Sequence, residues 1–307
     1  MKLISSVSPH IYNKNSTQRI MLDVVLALVP AAIASVIIFG LRALLVIGVC
    51  VAVCVLSEWL FEKICKKENT ISDLSAVVTG MLLAFNLPVS IPLWQAAFGS
   101  IVAIVVVKQL FGGIGQNFAN PAITARIIMM TAFSGTMTTW TFPADAVSSA
   151  TPLALLAKGE LSVMPPSYLN MFLGLRGGCL GETCVLALLI GGVYLLARRV
   201  ISWHTPVAFI GTVAIMSLIC GKDVLYQVMG GGLMIGAFFM ATDYASTPPT
   251  KLGKIIFGIG CGLITILIRF WGNFPEGVSF SILLMNILTP YISKLTRLKP
   301  LTGGAGK

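Results

Sequence analysis

The sequence predicts an all-α integral membrane protein with about ten transmembrane helices, arranged as two five-helix inverted repeats with short or broken helices. Of its 307 residues, 56% are hydrophobic and only 10% are charged, whereas an average soluble domain has about 25% charged residues. The apolar residues form long continuous runs, while the strands of a membrane β-barrel alternate. A weak internal repeat relates the two halves of the chain.

The first half contains five apolar segments. We expect each to be a helix, because a span in lipid has to satisfy its own backbone hydrogen bonds. The segments cover residues 21–39, 43–61, 74–87, 92–110 and 119–133. The third and fifth have 14 and 15 residues, too few to cross a hydrocarbon core of about 30 Å at about 1.5 Å per residue. Pro88 follows the third and Pro121 begins the fifth, so both are predicted to be short, tilted or broken.

A long hydrophilic connection, residues 134–179, follows the fifth segment. It is rich in Ser, Thr, Pro and Gly and is predicted to be an ordered loop rather than a helix. Long loops that are not linkers tend to be functional. The chain therefore divides into a first repeat (1–133), this loop (134–179) and a second repeat (180–307).

The second half contains five further apolar segments, residues 180–197, 205–220, 224–241, 253–270 and 276–291. Three consecutive glycines, 230–232, make the eighth a weak helix. The pair Phe98-Gly99 recurs as Phe257-Gly258 at an offset of 159. Because each half has an odd number of helices, the second would enter the membrane from the opposite face, as an inverted repeat. Chance similarity between apolar helices is the alternative.

The basic residues predict the orientation. With the N-terminus in the cytoplasm, 15 of the 21 Lys and Arg residues fall on the cytoplasmic side, as the positive-inside rule requires. Both termini are then cytoplasmic, and the 134–179 loop lies on the extracytoplasmic side of the cell (inner) membrane. The net charge of +10 reflects the same bias, so nucleic acid is not an expected partner. Residues 1–19 have no apolar core or cleavage site, so we expect no signal peptide.

Ionisable residues inside spans cost about 2.5–3.5 kcal/mol each and are usually functional or paired. Arg126 lies near the start of the fifth helix, whose N-terminus begins at Asn120-Pro121. A helix N-terminus and an arginine together can bind an anion. Structural pairing of Arg126 with a carboxylate is the alternative.

A second candidate site lies at the end of the eighth segment. Thr242 and Asp243 precede a polar, Pro-rich break, which is tolerated at membrane depth only if it lines a cavity or is buried in protein. We interpret it as a cofactor or ion site, with a capped helix end as the alternative. By contrast, Glu58 and Asp23 lie near the cytoplasmic interface and are predicted to be solvated.

Other signatures are missing from the sequence. The seven cysteines include no C-x-x-C pair, so neither a disulfide framework nor an iron–sulfur site is expected, and no metal site is predicted. Nucleotide-binding, zinc-protease and serine-hydrolase motifs do not occur. With so little soluble domain, the chain needs partners to act on a large soluble substrate.

Five blocks, spread in order over nearly the whole chain, resemble the NqrB/RnfD family, and the short N-terminus favours its RnfD branch. The blocks are S-P-H-I-Y-N-K-N-S-T-Q-R-I-M-L-D (8–23), G-G-I-G-Q-N-F-A-N-P-A (112–122), G-E-T (181–183), F-M-A-T-D-Y-A-S-T-P (239–248) and F-P-E-G-V-S-F-S-I-L-L-M-N (274–286).

The resemblance implies a covalent flavin. In this family an outward-facing threonine carries FMN through a phosphoester bond, within a pattern similar to Asp-x-x-Ser/Thr-Gly-Ala-Ser/Thr. Thr151 would be the acceptor here, with Ser149 in place of the usual glycine. The residues of the pattern that accompany Thr151 are Asp145, Ser148, Ser149 and Ala150. A second, non-covalent flavin such as riboflavin is implied as well. We assign Asn120, Arg126, Thr242 and Asp243 as further cofactor-binding candidates.

The resemblance also implies the function. The chain would be a subunit of an Rnf-type ferredoxin:NAD oxidoreductase complex, relaying electrons through FMN and coupling their transfer to Na⁺ or H⁺ translocation. Its partners would be the A, B, C, E and G subunits, above all the FMN-bearing G subunit, with a flavin transferase and membrane lipid. The alternatives are a secondary transporter, suggested by the inverted repeat and broken helices, and a structural scaffold. Neither would carry flavin.

Overall fold

The computed structural model describes residues 16–67, 69–141, 148–149, 153, 166–272 and 277–297, and these form a helical protein, as predicted. In chain order the helices are α1 (Thr17–Phe39), α2 (Leu41–Ile64), α3 (Ser75–Phe85), α4 (Leu93–Gln109), α5 (Pro121–Ala132), α6 (Ser134–Met137), α7 (Tyr168–Leu173), α8 (Val185–Ala197), α9 (His204–Ile219), α10 (Val224–Met229), α11 (Leu233–Ile235), α12 (Lys251–Trp271) and α13 (Val278–Leu295). A 3-10 turn (Ile71–Asp73) precedes α3, and two short strands, β1 (Trp140–Thr141) and β2 (Ser148–Ser149), pair antiparallel.

The predicted spans correspond to helices of unequal length. Four helices, α1, α2, α12 and α13, are long and apolar enough to cross a membrane. Five shorter apolar helices, α3, α4, α5, α8 and α9, match other predicted segments. The eighth segment is divided, since α10 ends before the three glycines and α11 continues after them into a π-helical stretch, Gly236–Met240. The prediction that the three glycines weaken this helix is therefore confirmed.

The prediction that residues 134–179 contain no helix is wrong at two places. Helix α6 follows α5 almost without interruption. Helix α7 forms because the Ser167 hydroxyl accepts a hydrogen bond from the Asn170 backbone N–H at 3.3 Å, which caps its first turn.

Local sequence signals explain the other helix ends. The Ser16 hydroxyl caps α1 by accepting from the Arg19 N–H at 3.3 Å. Gly40, at φ +75°, separates α1 from α2. The Asn120 side chain accepts from the N–H groups of Ala122 and Ile123, with Pro121 in the first helical position.

The short helix α3 is far more buried than the four long helices. In α1, α2, α12 and α13 the buried share of the most apolar window is 28%, 33%, 39% and 44%. In α3, by contrast, every residue is buried except Val77 and Val78. Helix α3 therefore lies in the protein interior, whereas the long helices expose much of their apolar surface.

Helix packing brings the two halves of the chain together. In the first half α2 packs against α3 and α4, and in the second α9 packs against α10 and α12. The halves meet where α5 packs against α13 and, more extensively, where α1 packs against α8. There Gly191 lies so close to the Ala27 carbonyl that a Cβ atom on the glycine would be 2.1 Å from its oxygen.

Candidate functional site

A cavity of about 380 Å³, called here the large cavity, lies between the two halves. Apolar side chains of Leu82, Phe238 and Phe239 form part of its wall. Its polar lining includes Lys108, Asn117, Asn120, Thr242 and Asp243. Mostly apolar walls with a few convergent polar groups are typical of small-molecule sites.

The predicted break after the eighth segment lies in this cavity wall. The Thr242 hydroxyl donates to the Phe238 carbonyl at 2.7 Å, and the Asp243 carboxylate accepts from the Ser246 hydroxyl at 2.9 Å. Both residues also line a smaller cavity of about 230 Å³, together with Tyr244. Burial raises the pKa of Asp243 above its ordinary 3.8.

Two asparagines of the G-Q-N-F-A-N-P block also line the large cavity. Asn120 uses its oxygen to cap α5, and its nitrogen lies 3.5 Å from the Met240 carbonyl oxygen. The side-chain oxygen of Asn117 is buried and has no hydrogen-bond partner among the residues that the structure describes. An acceptor of this kind costs about 1–3 kcal/mol unless something donates to it. A ligand with an N–H group would relieve that cost.

Arg126 is not among the described residues that line the large cavity. Arg126 is 3% exposed and donates to the Asn86 side-chain oxygen at 2.8 Å, the Ser279 hydroxyl at 3.1 Å and the Cys179 sulfur at 3.5 Å. An ideal Cβ on Gly232 would lie 4.0 Å from Arg126 Nη1 and 2.9 Å from a carboxylate oxygen of Glu182. The arginine and this carboxylate thus approach one point in the protein interior.

Two further buried arginines bind the carbonyls at the break of the eighth segment. Arg269 donates to the carbonyls of Gln227 at 2.6 Å and of Gly230 at 3.0 Å. Arg176 donates to the Met229 carbonyl at 2.8 Å and to the Glu182 carbonyl at 2.7 Å. Breaking the helix leaves its last carbonyls without helical partners, and these guanidinium groups replace those partners.

The predicted flavin-acceptor stretch is described only in part. Asp145, Ala150 and Thr151 lie outside the described residues. Ser148 and Ser149 form β2, in which Ser149 is opposite Trp140. Leu153, two residues after Thr151, is 4% exposed, and its side chain lies 2.7 Å from the position of an ideal Cβ on Gly231.

Two carboxylates that were predicted to be solvated, Glu58 and Asp23, are buried and paired with donors. Glu58, predicted to be solvated, is 0% exposed and forms an ion pair with Lys108 at 2.6 Å. Asp23, also predicted to be solvated, is buried and accepts from the Tyr194 hydroxyl at 3.0 Å and from Arg198 at 3.2 Å. Both predictions were wrong, because each carboxylate finds donors on a helix distant in sequence. A lysine inside the apolar segment 92–110 was the available signal.

Comparison with known proteins gives consistent matches. The family model described as "NQR2, RnfD, RnfE family" matches residues 4–302. The D subunit of the Na(+)-translocating ferredoxin:NAD(+) oxidoreductase complex of Acetobacterium woodii is 50% identical over 301 residues, covering 97% of this chain and 94% of the relative. The D subunit of the proton-translocating ferredoxin:NAD(+) oxidoreductase complex of Clostridium ljungdahlii is 44% identical, with 95% and 94% covered. The D subunit of an ion-translocating oxidoreductase complex of Stutzerimonas stutzeri is 36% identical, with 92% of each chain covered.

Proposed function

The chain belongs to the NQR2, RnfD, RnfE family, and we propose that it is the D subunit of an ion-translocating ferredoxin:NAD⁺ oxidoreductase complex. The observation that carries this proposal is the 50% identity, over 97% of the chain, to a relative named as the D subunit of a complex with that reaction. The protein is a membrane-embedded part of a translocase and is not catalytic alone. Its named relatives translocate Na⁺ in one case and protons in another, so the coupled ion is Na⁺ or H⁺.

Its partners are the other subunits of the complex. Because the described part of the chain consists mostly of apolar helices, we propose that it receives and passes on electrons through neighbours that bind the soluble substrates. We propose contact with the A, B, C, E and G subunits, and above all with an FMN-bearing G subunit. A flavin transferase is a transient partner.

We propose that FMN is attached to Thr151 through a phosphoester bond. The sequence 145–151 resembles the acceptor pattern of the family, and described residues flank the threonine on both sides, Ser149 in β2 and the buried Leu153. Attachment through the phosphate leaves the isoalloxazine ring free to take up one or two electrons, which is the chemistry that the flavin supplies. The protein contributes position and charge.

We propose in addition that the large cavity binds a non-covalent flavin such as riboflavin. Its volume of about 380 Å³ falls within the usual range for small-molecule sites, about 300–1,000 Å³. Phe238 and Phe239 offer apolar surface to a ring system. The buried oxygen of Asn117, which lacks a donor among the described residues, fits the imide N–H of a flavin. Asn120, Thr242 and Asp243 complete the polar lining.

We propose the following topology for the protein. The cavity lies on the cytoplasmic side, both termini are cytoplasmic, and the Thr151 loop is extracytoplasmic. The supporting observation is the 15 basic residues on one side in the alternating topology. The corresponding packing of α2 with α3 and α4, and of α9 with α10 and α12, supports two inverted five-helix repeats on either side of the loop.

The covalent site is tested in the intact complex by in-gel ultraviolet fluorescence after denaturation, followed by mass spectrometry of the loop. Thr151→Ala removes the hydroxyl needed for the phosphoester and should abolish covalent flavin, whereas Thr151→Ser should retain part of it. Ser149→Ala is the matched control, since it removes a neighbouring hydroxyl and should leave flavinylation intact. Asp145→Ala should reduce flavinylation by weakening recognition by the transferase.

Membrane abundance of each variant is measured on the same gel, because misfolding would also remove fluorescence. A well-expressed Thr151→Ala protein that still carries covalent FMN would refute the assignment of the site. A wild-type complex with ferredoxin:NAD⁺ activity and no covalent flavin would refute attachment altogether, while leaving the protein's place in the complex intact.

A further inference from the structure

Lys108 is a buried cation at the edge of the large cavity. Its side chain is 2% exposed, yet it lines the cavity. The ammonium nitrogen lies 2.6 Å from a carboxylate oxygen of Glu58 and 2.6 Å from the Ser75 hydroxyl oxygen. The Ser75 hydroxyl in turn donates to Asp73, so its oxygen accepts from the lysine.

Among the described residues, the ammonium group of Lys108 has acceptors for two of its three donors. A lysine has three N–H donors and no acceptor. Two donors are used, and no third acceptor is found for Lys108 among the residues that the structure describes. Leaving a buried donor unsatisfied costs about 1–3 kcal/mol or more for a charged group. Because the side chain lines the cavity, an acceptor on a ligand could satisfy the third donor.

The surrounding residues fix the position of the lysine. Lys108 lies in the π-helical part of α4, Val102–Gln109, and such widened turns are often found at functional sites. Gln109 donates to the same Glu58 oxygen at 2.8 Å. A buried ion pair with additional hydrogen bonds is costly to disrupt, so the ammonium group is held in one place.

We propose that Lys108 is the residue that binds a carbonyl of the non-covalent flavin and raises its reduction potential. The inference rests on the proposed flavin in the large cavity. Reduction adds negative charge to the ring system, and a fixed, buried cation beside the ring stabilises that charge. Lys108 thereby favours the reduced form and retains the cofactor, while Asn117, which also lines the cavity, offers an acceptor to the flavin N–H.

The test measures non-covalent flavin in the purified complex, by acid extraction and chromatography, and its midpoint potential by spectroelectrochemical titration. Lys108→Met should lower flavin retention at least tenfold, and any flavin that remains should show a lower midpoint potential. A tenfold change in the preference for the reduced form equals about 30 mV for a two-electron couple. Lys67→Met is the matched control, because Lys67 lies nearby, bonds to the Gln109 carbonyl at 3.2 Å and does not line the cavity as described.

Lys108→Met leaves the Glu58 charge buried and could prevent folding, so the double variant with Glu58→Gln is measured as well. Glu58→Gln alone keeps the cation and removes its counter-charge, and it should raise the potential, opposite to Lys108→Met. The double variant is compared with Glu58→Gln alone, from which it differs only in the loss of the lysine. Equal flavin occupancy and equal midpoint potential in these two variants would overturn the role of Lys108. Absence of non-covalent flavin from both wild type and Lys67→Met would instead overturn the proposed cavity ligand.

Discussion

The contact between the two halves can be tested with a single methyl group. An ideal Cβ on Gly191 would lie 2.1 Å from the Ala27 carbonyl oxygen and 3.0 Å from Phe239 Cζ. Ordinary contact begins near 3.4 Å, so Gly191→Ala requires α1 and α8 to separate by more than 1 Å. The atom in the way is backbone, which cannot rotate aside. Phe239 also lines the large cavity, so Gly191→Ala should displace a residue of the proposed flavin site as well.

Two opposing effects set the magnitude. Alanine in a helix interior is favoured over glycine by about 0.5–1 kcal/mol, whereas overpacking costs about 1–3 kcal/mol and occasionally more. Because the clash involves backbone, we expect a net loss of about 2 kcal/mol. With an unfolding entropy of about 2.1 cal/mol/K per residue, each kcal/mol lowers the Tm of this 307-residue chain by about 1.5 °C. The expected fall is therefore about 3 °C.

The assay is thermal unfolding of the detergent-purified protein. Unfolding is monitored as the loss of the monodisperse peak in size-exclusion chromatography. Gly48→Ala is the control, because an ideal Cβ there meets nothing within 4 Å, so its Tm should equal or slightly exceed that of the wild type. A Gly191→Ala protein as stable as Gly48→Ala would refute the close packing of α1 and α8.

Three other predictions follow from the topology and the buried charges. Cysteines substituted at Lys67 and Lys158 should be labelled by an impermeant reagent from the cytoplasmic and external side respectively, and external labelling at Lys67 would contradict the orientation. Arg126→Lys cannot reproduce the bonds to Asn86, Ser279 and Cys179, so electron transfer should fall at unchanged protein abundance; parallel loss of both would indicate a structural role. Because burial raises the pKa of Asp243 above 3.8, the folded state binds the proton more tightly, and this contribution to stability decreases as pH rises through the raised pKa. The Tm of Asp243→Asn minus the Tm of the wild type should therefore increase from pH 4 to pH 7. A difference in Tm that does not depend on pH would contradict the raised pKa of Asp243.

Much of the helical framework could be predicted, because its signals are local. Apolar runs mark the spans, and Gly40, Asn120 and the three glycines at 230–232 mark where helices begin or break. Helix α7 was missed because a Ser-rich composition conceals its cap, Ser167. Helix α6 was missed because it has no side-chain cap that could mark its start.

The pairing of Glu58 with Lys108 beside the large cavity could not be predicted from local signals. Glu58 has the sequence surroundings of an interfacial, solvated carboxylate, and its partner Lys108 is 50 residues away. Whether such a residue is solvated or paired depends on which helices become neighbours. The same holds for Asn117, which belongs to a recognisable block but acquires an unsatisfied buried oxygen only in the folded chain.

The arginine-bound break in the eighth segment has a consequence for motion. Arg176 and Arg269 hold the carbonyls of Gln227, Met229 and Gly230 with charge-assisted bonds. Closing the break into a continuous helix would remove these carbonyl acceptors from two buried guanidinium groups, at a cost of several kcal/mol. The two arginines therefore stabilise the broken form of the segment against a continuous helix. By contrast, the contacts of α1 with α8 and of α5 with α13, where the two halves meet, join whole helices.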